Sequence, residues 1–111
     1  MSTPLISPEA TFTQLHDHIE YPQSGVLSKI IVKDTVCQYS LFCMAADTEI
    51  SEHTSSRNAV VHIIEGTGTL TLKGESIRLE PGTLIFMPAH APHALAASSN
   101  LAFILTLSSA S

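Results

Sequence analysis

The chain is predicted to be all-β, a sandwich or closed barrel. Three observations predict it. There are about eight or nine short apolar runs bounded by turn residues. No segment sustains an apolar period of about 3.6 residues. Several runs are apolar on both faces instead of alternating, as strands do when each face meets another layer.

Taken in order, residues 1–24 carry Pro4, Pro8 and Pro22 around the mixed segment Thr11–Ile19, and read as an N-terminal arm or short edge strand. No linker separates the arm from the strand-like runs C-terminal to it, so one domain is expected over 1–111, with the barrel at 25–111. Val26–Val32 and Val36–Ala46 are strand-like runs separated by Lys33-Asp34. Ile50–His53 ends a further strand, and small polar residues continue from it as far as Asn58. Ala59–Ile64, Thr69–Leu72 and Ile77–Leu79 are each followed by a hairpin-type turn: Glu65-Gly66-Thr67-Gly68, Lys73-Gly74-Glu75 and Glu80-Pro81-Gly82. Thr83–Met87, a strand beginning at His93 after Pro92, and Leu101–Leu107 complete the set.

Composition narrows the partners. Ten acidic residues against five basic ones give a net charge of -5, so the positive footprint of a nucleic-acid or anionic-membrane binder is missing. Hydrophobic residues make up 44% and charged ones 14%, too few charges to cover an isolated small domain, which predicts a homodimer. The N-terminus shows neither a basic flank nor a continuous apolar stretch, so the expected compartment is the cytoplasm. Cys37 and Cys43 lie on one strand, roughly 20 Å apart if extended, and are read as reduced core residues. No phosphate-binding Gly-rich loop, Cys-X-X-Cys pair or nucleophile elbow is present.

The chemistry concentrates in the histidines. Of six, His53 at a strand end and His93 at a strand start can point inward from adjacent strands, giving two nitrogen ligands for Zn, Fe, Mn or Ni. His62 is the candidate third ligand, although along a regular strand its parity is opposite to that of Ala59, so a bulge is required to turn it inward. His16 and His18 share a face of an extended arm and are assigned no role; His90 lies in a proline-bounded loop. Arg57 and Glu52 flank the mouth and read first as exposed loop charges, with orientation of an anionic or hydroxylated substrate as the alternative.

These residues resemble the two motifs of the cupin superfamily. In the first, His53 takes the first histidine and Gly66 the closing glycine, while Asp47 stands at the opening glycine, Ser55 at the second histidine and Ala59 at the glutamate. In the second, Gly82, Pro88 and His93 keep their spacing, while His90 replaces a glycine and Ala97 the asparagine. The wording around Ser51-Glu52-His53-Thr54, Ile64-Glu65-Gly66 and Pro92-His93-Ala94-Leu95 is similar to small single-domain, RmlC-like cupins.

The resemblance implies a double-stranded β-helix, the jelly-roll barrel, with a pocket inside it. Strand parity with Ala59 puts Val61 and Ile63 on the lining, joined by Leu95 and Ala97 from the strand of His93. Ser55 and Ala59 leave space where two of four usual ligands would stand. The expected function is therefore a small-molecule-binding cupin with a degenerate metal site; the alternative is a metal-dependent oxidoreductase or isomerase with a histidine-held divalent ion.

Overall fold

Among the described residues, nine strands form where the β-branched and aliphatic runs lie: β1 (Val26–Lys33), β2 (Cys37–Met44), β3 (Glu49–His53), β4 (Ala59–Glu65), β5 (Gly68–Leu72), β6 (Glu75–Leu79), β7 (Leu84–Met87), β8 (His93–Ala97) and β9 (Leu101–Ser108). The computed structural model describes residues 4–7 and 9–108. All pairings are antiparallel, in a five-stranded sheet of order β1-β2-β9-β4-β7 and a four-stranded sheet of order β3-β8-β5-β6. The two sheets make the jelly-roll architecture expected.

The core fills the space between the sheets. Alternation along β7 buries Ile85 and Met87 and exposes Leu84 and Phe86; along β4 it buries Ala59, Val61 and Ile63 and exposes His62. Leu70, Leu79 and Leu95 come from the smaller sheet to meet them. Each such side chain, fully removed from water, contributes about 1.5–3 kcal/mol.

A second cluster covers the outer face of the larger sheet. Leu5, Ile6, Leu15, Ile19 and Tyr21 of the arm pack against Ile31, Leu41, Cys43 and Ala102. The two-faced apolar character of β1, β2 and β9 therefore has a cover within the same chain. Leu5 and Ile6 donate backbone N–H groups to the Ile30 and Ile31 carbonyls at 2.9 and 2.8 Å. Between the readings of an arm and a short edge strand, no strand forms over Thr11–Ile19; Leu15–His18 makes a 3-10 turn, and the Thr13 hydroxyl meets His18 Nε2 at 2.7 Å. Lys29 Nζ donates to the His18 carbonyl at 2.9 Å and to Glu20 at 3.1 Å, while the Tyr21 hydroxyl donates to Glu65 at 2.6 Å. Burial and that carboxylate together hold the Tyr21 phenol well above its ordinary value.

Two motif positions that carry no glycine still have the backbone of one. Asp47 (φ 66°) and His90 (φ 71°) lie in the left-handed region, where Asp and His are tolerated better than most side chains. Gly66 is held for a second reason: its φ is 94°, and a Cβ there would run into the Asn100 carbonyl oxygen.

Candidate functional site

The site begins with an irregularity in β3. Ile50 pairs with Leu95 and His53 with His93, so three steps along β3 answer two along β8. Without that bulge, parity would send Ile50 and His53 to opposite faces; with it, both face the cavity, His53 remaining exposed at its mouth. His53 and His93 then stand directly opposite each other, ring centroids 4.2 Å apart and planes at 64°.

Each ring is tied to the backbone carbonyl two residues before it. His53 Nδ1 lies 2.9 Å from the Ser51 carbonyl, and His93 Nδ1 lies 3.0 Å from the Ala91 carbonyl. A carbonyl only accepts, so Nδ1 carries the proton in both rings and Nε2 of each neutral imidazole keeps its lone pair.

The two histidines border two neighbouring chambers. The outer one, about 260 Å³, adds Ser55, Arg57, Ala59 and Pro88, with Met87, Leu105 and Leu107 as its apolar wall. The inner one, about 220 Å³, is lined by Ile50, Val61, Leu70 and Leu95 and by Phe42 and Phe103, whose rings stack at 5.2 Å with planes 9° apart. Met87 and Leu105 border both chambers. The rim is fixed by backbone: the His90 N–H donates to the Ser55 carbonyl at 2.7 Å, the Ala89 N–H to Asn58 Oδ1 at 2.9 Å, and the Ser108 N–H to the Asn58 carbonyl at 3.0 Å. Ser55 Oγ also accepts the Arg57 N–H at 3.1 Å.

Most of the residues expected at the site are brought together: His53, His93, Ser55 and Ala59 at the outer chamber, Val61 and Leu95 at the inner one. His62 is not among them. The bulge in β4 falls between Ile63 and Glu65, beyond His62, so the parity of His62 is unchanged and its side chain is exposed on the outer face between Leu84 and Ile104. Ile63 and Ala97 lie in the closed core instead of on the lining. His90 is exposed, and Glu52 borders neither chamber.

The structure adds Phe42, Phe103, Leu105 and Leu107 to the walls. Their alternation is readable in the sequence, but their place beside β4 depends on β9 pairing between β2 and β4, a contact of long sequence separation.

A metal needs more donors than this. Among the described residues, no three His, Cys, Asp or Glu side chains come together to hold an ion. With Ser55 and Ala59 at the other two ligand positions, the donor set does not fit a tightly held resident metal.

Comparison with known proteins agrees with the fold. The family described as Cupin domain matches residues 40–107, and the chain belongs to it. Over 98% of its length it is similar, at 28% identity and a TM-score of 0.83, to 95% of a conserved protein of unknown function from Streptococcus pyogenes. It is similar at 26% identity and a TM-score of 0.80 to a cupin superfamily protein from Desulfitobacterium hafniense, covering 86% of this chain and 87% of that one. The salicylate 1,2-dioxygenase of Pseudoaminobacter salicylatoxidans shares the fold at 21% identity and a TM-score of 0.71, over 75% of this chain and 26% of the enzyme. No curated protein sequence matches.

Proposed function

We propose that this cupin binds a small organic molecule in the double chamber, with His53 and His93 acting as polar contacts that survive from a reduced metal site. The observation that carries this reading is the pairing of the two imidazoles at the junction of an apolar interior and an open mouth. A cavity with aliphatic walls and a few convergent polar groups is the usual form of a small-ligand site. Each imidazole, fixed through Nδ1, presents an acceptor at Nε2 in its neutral form and a donor when protonated.

A thermal-shift screen of chemically broad small molecules tests the proposal. A true ligand at about 100 times its dissociation constant adds about 2.7 kcal/mol to stability, a shift that His53→Ala and His93→Ala should shrink. Absence of any stabilising compound would count against binding as the function.

A second reading, a metal-dependent oxidoreductase or isomerase, has one observation in its favour: the two free Nε2 lone pairs on adjacent strands. A divalent ion held there would leave most of its coordination positions to water or ligand. Metal analysis of protein purified without an affinity tag separates the readings, since a stoichiometric ion lost in both alanine variants supports the enzyme.

We extend the proposal to a homodimer formed through the outer face of β7. Leu84 and Phe86 are 66% and 57% exposed there, on an edge strand of the larger sheet. Sedimentation of the wild type and of Leu84→Ser/Phe86→Ser at micromolar concentration tests it; a monomeric wild type refutes it. No helix among the described residues is long and apolar enough to cross a membrane. The free thiols of Cys37 and Cys43 fit the cytoplasmic residence we propose.

A further inference from the structure

Lys29 and Arg78 are engaged by Glu20 at 3.1 Å and by Glu80 at 3.3 Å. Among the described residues, no ion pair includes Lys33, Arg57 or Lys73, and of these three Arg57 is the one that borders the chamber of His53 and His93. Arg57 is half-buried, borders the outer chamber beside His53 and His93, and also borders an adjoining hollow that it shares with Lys33 and Asp34.

Asp34 does not neutralise both cations. Its Oδ1 accepts the Val36 and Cys37 N–H groups at 2.7 and 2.8 Å, and two cations against one carboxylate leave the hollow with an excess of one positive charge. Arg57 therefore stands half-buried beside an apolar cavity with no carboxylate in ion-pair contact. An anion from outside can take that place, and a planar carboxylate matches the guanidinium fork better than any neutral group.

The rest of the cavity describes the body attached to that anion. Beyond the histidines the inner chamber, about 220 Å³, offers only aliphatic side chains and the stacked Phe42 and Phe103 rings. Such walls suit a compact ring or short hydrocarbon. The backbone of the rim that carries Arg57 is held by the Ser55 and Asn58 hydrogen bonds.

We propose that the cavity takes small organic monoanions, carboxylic acids with a ring-sized apolar body, whose carboxylate is held by Arg57 while the body passes His53 and His93 into the inner chamber. This rests on reading the cavity as a ligand site. Arg57 is then the residue that selects acids over neutral molecules of the same shape.

Titration calorimetry of the full chain with benzoate and with its neutral isostere benzamide tests the assignment on wild type, Arg57→Gln and Arg57→Lys. Benzoate should bind wild type about tenfold or more tighter than benzamide. Arg57→Gln should remove that preference, its β-sheet circular dichroism and thermal unfolding showing that the variant is folded, and Arg57→Lys should retain part of it. Equal affinity of wild type for the two probes overturns the acid assignment but leaves ligand binding standing. Benzoate binding that is unchanged in Arg57→Gln overturns the role of Arg57. If neither probe binds, the proposed ligand class is wrong, and the broad thermal-shift screen decides separately whether the cavity binds anything.

Discussion

His53 and His93 are register partners on β3 and β8, and the bulge between Ile50 and His53 is what turns both rings to the same interior. Neighbouring imidazoles fixed through Nδ1 form half of a chelating set; the missing half is occupied by Ser55 and Ala59, which border the same chamber. Ser55→His together with Ala59→Glu should therefore convert a weak two-donor site into one that retains a divalent ion through gel filtration. Cobalt absorption checks this, and adding His53→Ala to the double variant should abolish the gain.

Gly66 and Gly74 distinguish backbone strain from collision. Both have positive φ, 94° and 81°, but only at Gly66 would a Cβ meet backbone, the Asn100 carbonyl. Gly74→Ala should cost about 1 kcal/mol, the penalty of the left-handed conformation, and Gly66→Ala distinctly more. Urea unfolding of the two variants compares them, and equal losses would mean that the Asn100 turn yields without cost.

His90 predicts the opposite sign. It is exposed at φ 71°, and its N–H, which bonds to the Ser55 carbonyl, is kept by any residue except proline. His90→Gly relieves about 1–2 kcal/mol of left-handed strain and adds back some chain entropy, so a net gain of about 0.5–1 kcal/mol is expected in thermal unfolding. Because His90 borders neither chamber, ligand binding should not change.

Asp34 makes the β1–β2 turn sensitive to acid. Hydrogen bonds from the Cys37 and Val36 N–H groups hold its carboxyl below the ordinary carboxylate value. A depressed folded value means that the ionised form stabilises the native state. That contribution is complete above the unfolded-state value and disappears as pH falls through the folded one. Asp34→Ala should lower the melting temperature at neutral pH, with the difference from wild type closing as pH falls below the ordinary carboxylate range.

Much of the architecture is written in local signals. The turns at Lys73-Gly74 and Pro81-Gly82 delimit β5, β6 and β7, and the alternation of Val61, His62 and Ile63 assigns their faces. His53 and His93 are also legible, through motif spacing. The position of β9 between β2 and β4 is not, because strand order in a jelly roll is set by contacts between distant segments that leave no local trace. The sparse charge points to a second subunit, whereas part of the apolar outer face is covered by the arm residues Leu5, Ile6, Leu15 and Ile19. Those residues are scattered among prolines and polar groups, and no periodicity marks them as a lid on the sheet. The third-ligand reading of His62 requires a bulge, and a bulge does form in β4, but beyond His62 and too late to turn it.

The bonds from Ala89 and His90 to Asn58 and Ser55 have a dynamic consequence. They make the β3–β4 and β7–β8 loops a single hinged frame, so neither loop swings aside without carrying the other. Any widening of the mouth is then a concerted motion that breaks both bonds together, and the rate at which a bulky guest exchanges should track the loosening of that frame.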